Sequence, residues 1–96
     1  MERKDIVSIG DVLRECLEKS RMQERLDEVR ACDSFALVVG PGIAASCGRP
    51  SMRNGLMTVT APSAALRSDL NMGRSRIMKG INDIMGKEVV RDLYFR

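Results

Sequence analysis

Residues 35–44 read FALVVGPGIA, an apolar run with a Gly-Pro-Gly break inside it, and few folds accommodate such a stretch. Phe35 to Val39 point apolar side chains all round a helix axis, so they predict the buried last turns of a helix. Gly40 can take the left-handed conformation that ends a helix, and Pro41 cannot donate the next helical hydrogen bond. Ile43 to Ser46 then predict one more helical turn, also buried. No group in the run carries chemistry. It reports architecture.

The rest of that architecture has to be small and aliphatic. A chain of 96 residues supports one core, and residues 8–96 are expected to form a single domain behind a flexible segment, 1–7. Phe35, Tyr94 and Phe95 are the only aromatics, and seven Met give an adaptable interior. No apolar run approaches the roughly 18 residues of a membrane helix. The charged start, MERKD, has no apolar segment of a secretory signal, so the expected location is the cytoplasm. Cys16, Cys32 and Cys47 form no CxxC pair, and without any His they make no zinc site. They are expected to be small buried hydrophobes.

Ser8 reads as an N-cap with Asp11 three residues on, followed by Ile9, Val12, Leu13, Cys16 and Leu17 on one helical face. This first helix is expected to end near Ser20. A second is expected from Met22 to Val39, with Met22, Leu26 and Val29 turned inward. After the break, residues 47–53 predict a first strand, made irregular by Gly48 and Pro50. Asn54-Gly55 is a type I′ hairpin signal. Leu56 to Ala61 alternates as a half-buried second strand. A long helix, opened by Pro62-Ser63, is expected to run to Met85 with Gly86 as its C-cap. Gly73 and Gly80 inside it imply a kink or a close approach to the sheet. Val89 to Phe95 predicts the last strand. The order α-α-β-β-α-β gives an α+β fold, a three-stranded mixed sheet with helices on one face.

Catalysis has little to stand on. There is no His, no pair of carboxylates in an apolar setting and no phosphate loop, so neither a catalytic site nor a cofactor is expected. Charge is more informative. Residues 1–33 hold seven basic and nine acidic side chains, whereas residues 34–96 hold nine basic and four acidic. Twelve of the basic residues are Arg, which suits bidentate contact with phosphate or carboxylate. Arg49 and Arg53 on the first strand, with Arg67, Arg74, Arg76 and Lys79 on the long helix, are the candidate nucleic-acid-binding residues. Arg67 and Arg74 flank that helix's apolar stripe, while Arg76 and Lys79 lie on its far side, where Lys79 can pair with Asp83. An acidic protein partner fits the same asymmetry.

Several spaced residues carry a resemblance. Val38-Val39-Gly40 follows Phe35; Arg49-Pro50 precedes Asn54-Gly55; Met57, Val59 and Ala61 alternate. Asp69-Leu70 follows, and Ile81-Asn82 with Met85-Gly86 closes the series. In this order they resemble the DciA family, bacterial proteins that bind and help load the replicative DNA helicase. The resemblance covers about residues 9 to 96 and implies a KH-like fold. It implies a non-enzymatic replication accessory whose partners are single-stranded or forked DNA and the replicative helicase, with any ATP use belonging to the helicase. Many members of that family carry a tail beyond this domain, implicated in gripping the helicase. This sequence stops at Arg96, and the resemblance assigns the helicase contact to no residue. The chain also lacks the GxxG loop with which KH domains clamp a nucleic-acid backbone. A small RNA-binding module and a protein-interaction domain without nucleic-acid binding are the alternatives. A monomer or weak homodimer is expected.

Overall fold

The computed structural model of the chain describes residues 8–96, so the expected flexible segment lies outside the described residues. α1 (Ile9–Val39) is one continuous helix of 31 residues. Ser8 caps it, its Oγ accepting from the Asp11 amide at 3.0 Å. The boundary expected near Ser20 is absent. Residues 18–26 (EKSRMQERL) contain neither Gly nor Pro, and Glu, Lys, Arg, Gln, Met and Leu all favour helix, so nothing there stops the helix.

That continuity decides which face is buried. At about 100° per residue, Met22 lies about 220° round from Ile9, so the two apolar sets cannot face one core. The buried set, Ala31, Ser34 and Phe35, follows the phase of Leu13, Cys16 and Leu17. Met22, Leu26 and Val29 are therefore exposed, against the expectation that they turn inward. α1 is ~46 Å long at 1.5 Å per residue, and the molecule measures 69 × 21 × 19 Å. The first half of the helix overhangs the globular body.

Gly40 ends α1 at φ 94°, its amide donating to the Ala36 carbonyl, and Pro41 opens α2 (Pro41–Ser46). The restart is helical, as expected, but not buried: α2 has no buried residue, and Leu37 opposite the core is also exposed. An all-round apolar helix end here has only one side covered.

The sheet is three-stranded and mixed, in the order β1-β2-β3. β1 (Ser51–Arg53) pairs antiparallel with β2 (Leu56–Val59), and β2 pairs parallel with β3 (Asp92–Phe95). The hairpin between β1 and β2 turns at Asn54 (φ 52°) and Gly55 (φ 84°), the positive angles of a type I′ turn. All three strands are shorter than their sequence signals. Pairing continues past them through single bonds, from the Gly48 amide to the Thr60 carbonyl and from the Ala61 amide to the Arg96 carbonyl.

The long helix after Ser63 is two. α3 (Ala64–Met72) stops at Gly73, and α4 (Arg74–Met85) restarts there and ends at Gly86 in the left-handed conformation. The break lets α3 pack against β3 while α4 packs against α1. The two internal glycines thus serve different ends. Gly73 makes the kink, and Gly80 permits close approach to α1 rather than to the sheet: a Cβ there would sit 3.0 Å from Val38 Cγ1.

One cluster of buried side chains joins these elements, with Phe35 of α1 beside Phe95 of β3 at a ring separation of 6.4 Å. Between α4 and β3, Asn82 holds the connection. Its Oδ1 accepts from the amides of Val89 and Val90, and its Nδ2 donates to the Val90 carbonyl, each at 2.9 Å. An apolar residue there would leave two amides and a carbonyl without partners.

Candidate nucleic-acid interface

The six sequence-predicted cations separate into groups. Arg53, the last residue of β1, is exposed at the hairpin. Arg49 lies just before β1 rather than in it and turns toward α1, its Nη2 3.8 Å from Asp33 Oδ1. Arg74 opens α4 and stands at the β3 edge, Nη1 4.0 Å from Asp92 Oδ1. Arg67 on α3 is half-buried, and its Nε is buried without a hydrogen-bond partner. Arg76 lies on the other side of the α3–α4 junction, lining a shallow groove with Val38, Asp69 and Met72. Lys79 pairs with Asp83 at 3.0 Å, the i,i+4 contact its spacing predicts.

These ion pairs are exposed, and a contact of 3.8 to 4.0 Å between solvated groups holds little energy. A polyanion can displace such carboxylates. No carboxylate among the described residues lies within 4.0 Å of the charged groups of Arg53, Arg67, Arg76, Arg91 or Arg96.

A second basic pair was missed by sequence reasoning and is differently placed. Lys87 and Arg91 face acidic α1 across a cleft of about 560 Å³ that Glu24, Asp27 and Glu28 also line. Lys87 Nζ sits 2.7 Å from Asp27 Oδ2, and that ammonium, with a smaller contribution from Gln23, holds the Asp27 carboxyl below the usual carboxylate range. Arg91 lies over the hairpin glycine, where a Cβ at Gly55 would meet its Cγ at 3.2 Å. With Glu88 also lining it, this cleft holds more carboxylates than cations, and it ties α1 to the β3 connection. It is a fastening, not a polyanion site.

Tyr94, which the sequence offers as the one residue able to stack a base and more simply as packing at a sheet surface, is 57% exposed on the outer face of the sheet. One more residue escaped the sequence reading. Arg96 shares that face by strand alternation with Tyr94, and extending the Leu93/Phe95 pattern by one residue would have found it.

The α3–α4 junction reads Asn71-Met72-Gly73-Arg74. Two helices do meet there, as around a KH backbone clamp, but with a single glycine. Burial pushes the Cys32 and Cys47 thiols up from the ordinary value, whereas Cys16, expected to be buried, is exposed on α1. No helix among the described residues is long and apolar enough to cross a membrane.

The sequence profile of the family described as "Dna[CI] antecedent, DciA" matches residues 8–95, nearly all of the chain. No curated protein matches it in sequence.

Proposed function

The chain belongs to the DciA family, which acts in loading the replicative helicase, and on that premise we propose that it binds single-stranded or forked DNA while engaging the helicase. It works in the cytoplasm as a non-enzymatic accessory, and ATP hydrolysis falls to the helicase. The observation that carries the DNA contact is the excess of cations over acids in residues 34–96, with Arg53, Arg67, Arg76 and Arg96 free of any close carboxylate among the described residues. Arg49, Arg74 and Lys79 add to that potential once their solvated acids are displaced.

The helicase contact falls to the overhanging half of α1. Ile9, Leu13 and Leu17 present an apolar stripe there that no element among the described residues covers. Apolar surface of this kind marks protein contacts.

Titration of labelled single-stranded DNA, forked DNA and RNA at two salt concentrations tests the first contact. Binding should weaken steeply with salt, by about 0.7 in log–log slope for each phosphate neutralised on a single strand. Arg49→Glu with Arg53→Glu should abolish it without unfolding the domain. A preference for RNA favours an RNA-binding module instead, and no binding to any of the three favours a purely protein-binding domain. For the second contact, retention of the replicative helicase on the immobilised chain should be lost in Leu13→Glu/Leu17→Glu; unchanged retention removes α1 from that contact.

A further inference from the structure

The sheet is covered on one side only. Met57, Val59, Leu93 and Phe95 face the helices and are buried, so the alternate positions look outward. Strand register sets these in rows: Arg53 beside Leu56 and Asp92, then Ser51 beside Thr58 and Tyr94. Thr60 and Arg96 make a further row, because the Arg96 amide donates to the Val59 carbonyl and its carbonyl accepts from the Ala61 amide. The result is a shallow surface with an exposed aromatic ring, an exposed Leu56 and small hydroxyl residues between guanidinium groups.

We infer that this open sheet face is the platform for single-stranded DNA, with one base stacked on Tyr94 and the adjoining phosphates met by Arg53 and Arg96, and by Arg74 at the β3 rim. The inference rests on the DNA-binding reading above and gives it a surface.

Charge complementarity selects the occupant. Three guanidinium groups border the face against one side-chain carboxylate, Asp92, whose Oδ1 is already engaged by the Leu93 amide at 2.8 Å. Tyr94 and Leu56 alone are too little apolar surface to anchor a protein, whose interfaces centre on a larger desolvated cluster. A duplex keeps its bases stacked inside, whereas a single strand can lay a base flat on a ring. Two residues along β3 span about 6.8 Å, so Tyr94 and Arg96 can meet neighbouring parts of one strand. This mode leaves the α3–α4 junction unused, in keeping with its single glycine.

Tyr94 is the only tyrosine and the chain has no Trp, so its intrinsic fluorescence reports this face alone. Oligothymidine should quench that emission to saturation. In parallel anisotropy titrations, Tyr94→Ala should lose about tenfold in affinity while Tyr94→Phe retains most of it, as stacking requires. Arg53→Glu with Arg96→Glu should lose more and flatten the salt dependence. Arg21→Glu with Arg25→Glu on α1 controls for net charge, and circular dichroism checks that each variant is folded. Undiminished binding by Tyr94→Ala, combined with loss in Arg76→Glu/Lys79→Glu, overturns the sheet-face assignment and leaves DNA binding standing. Failure of the unaltered chain to bind oligothymidine at low salt removes both. Tighter quenching by oligouridine than by oligothymidine overturns the choice of DNA.

Discussion

The two ends of α1 carry nearly the same face and meet opposite fates. Leu17 and Phe35 are 18 residues apart, about five turns, and so lie on one line along the helix. Phe35 is 2% exposed and Leu17 is 57% exposed. Leu13 stands in the same relation to Ala31. Helical phase tells which residues share a side of the helix; it does not tell how far the body extends beneath that side. Here the body stops near Asp27, the residue that Lys87 fastens, and the apolar stripe continues past it into solvent. That exposed stripe is the surface to which the proposed helicase contact is assigned.

The most forceful challenge to this contrast is truncation at matched positions. Phe35→Ala should destabilise the domain by about 3–5 kcal/mol, whereas Leu17→Ala should change stability by about 0.5 kcal/mol or less, both read from urea unfolding. A comparable loss at Leu17 would mean the overhang is packed in solution.

The body end has further supports of graded size. Asn82→Ala should cost about 2–3 kcal/mol, because the Val89 and Val90 amides and the Val90 carbonyl lose their partner together. Gly80→Ala should cost about 1 kcal/mol despite the better helix propensity, since the new methyl meets Val38. Adding Val38→Ala should recover most of that loss, and simple additivity in the double variant would show that the two helices do not touch there.

The fastening at Asp27 titrates. Its carboxyl is held below the ordinary range in the folded chain, so its stabilising contribution is complete above the unfolded-state value and disappears as pH falls through the folded one. Unfolding midpoints measured down an acid series should therefore fall more gently in Asp27→Asn than in the unaltered chain. A parallel fall in both would take Lys87 out of the account. The smallest effect distinguishes the thiols: Cys16 on the overhang should react with a thiol reagent well before Cys32 and Cys47, whose burial opposes ionisation.

Much of this fold was legible from local chemistry. The Ser8 and Ser63 caps, the Gly40 stop, the Asn54-Gly55 turn and the Gly86 cap all stand where turn and capping residues place them. Each depends on backbone angles or a bond within a few residues. The misreadings share the opposite property. No end forms at Ser20, although the apolar phase changes beyond it, because a phase change is not a helix breaker. Gly73 could equally have been a tight contact, and only the competing demands of β3 and α1 make it a kink. How the candidate cations group was not legible, because Arg49 and Arg74 take their directions from Asp33 and Asp92, which are distant in sequence.

Amino-acid order alone was enough for the element types, the hairpin, the mixed sheet and the charge division between residues 1–33 and 34–96, since these follow from periodicity, dihedral preference and counting. Which apolar faces are covered was settled only when the chain packed: a buried face requires an opposing surface, and α1 is longer than the body it lies on. The same holds for Tyr94, whose exposure follows from the helices all occupying the other side of the sheet.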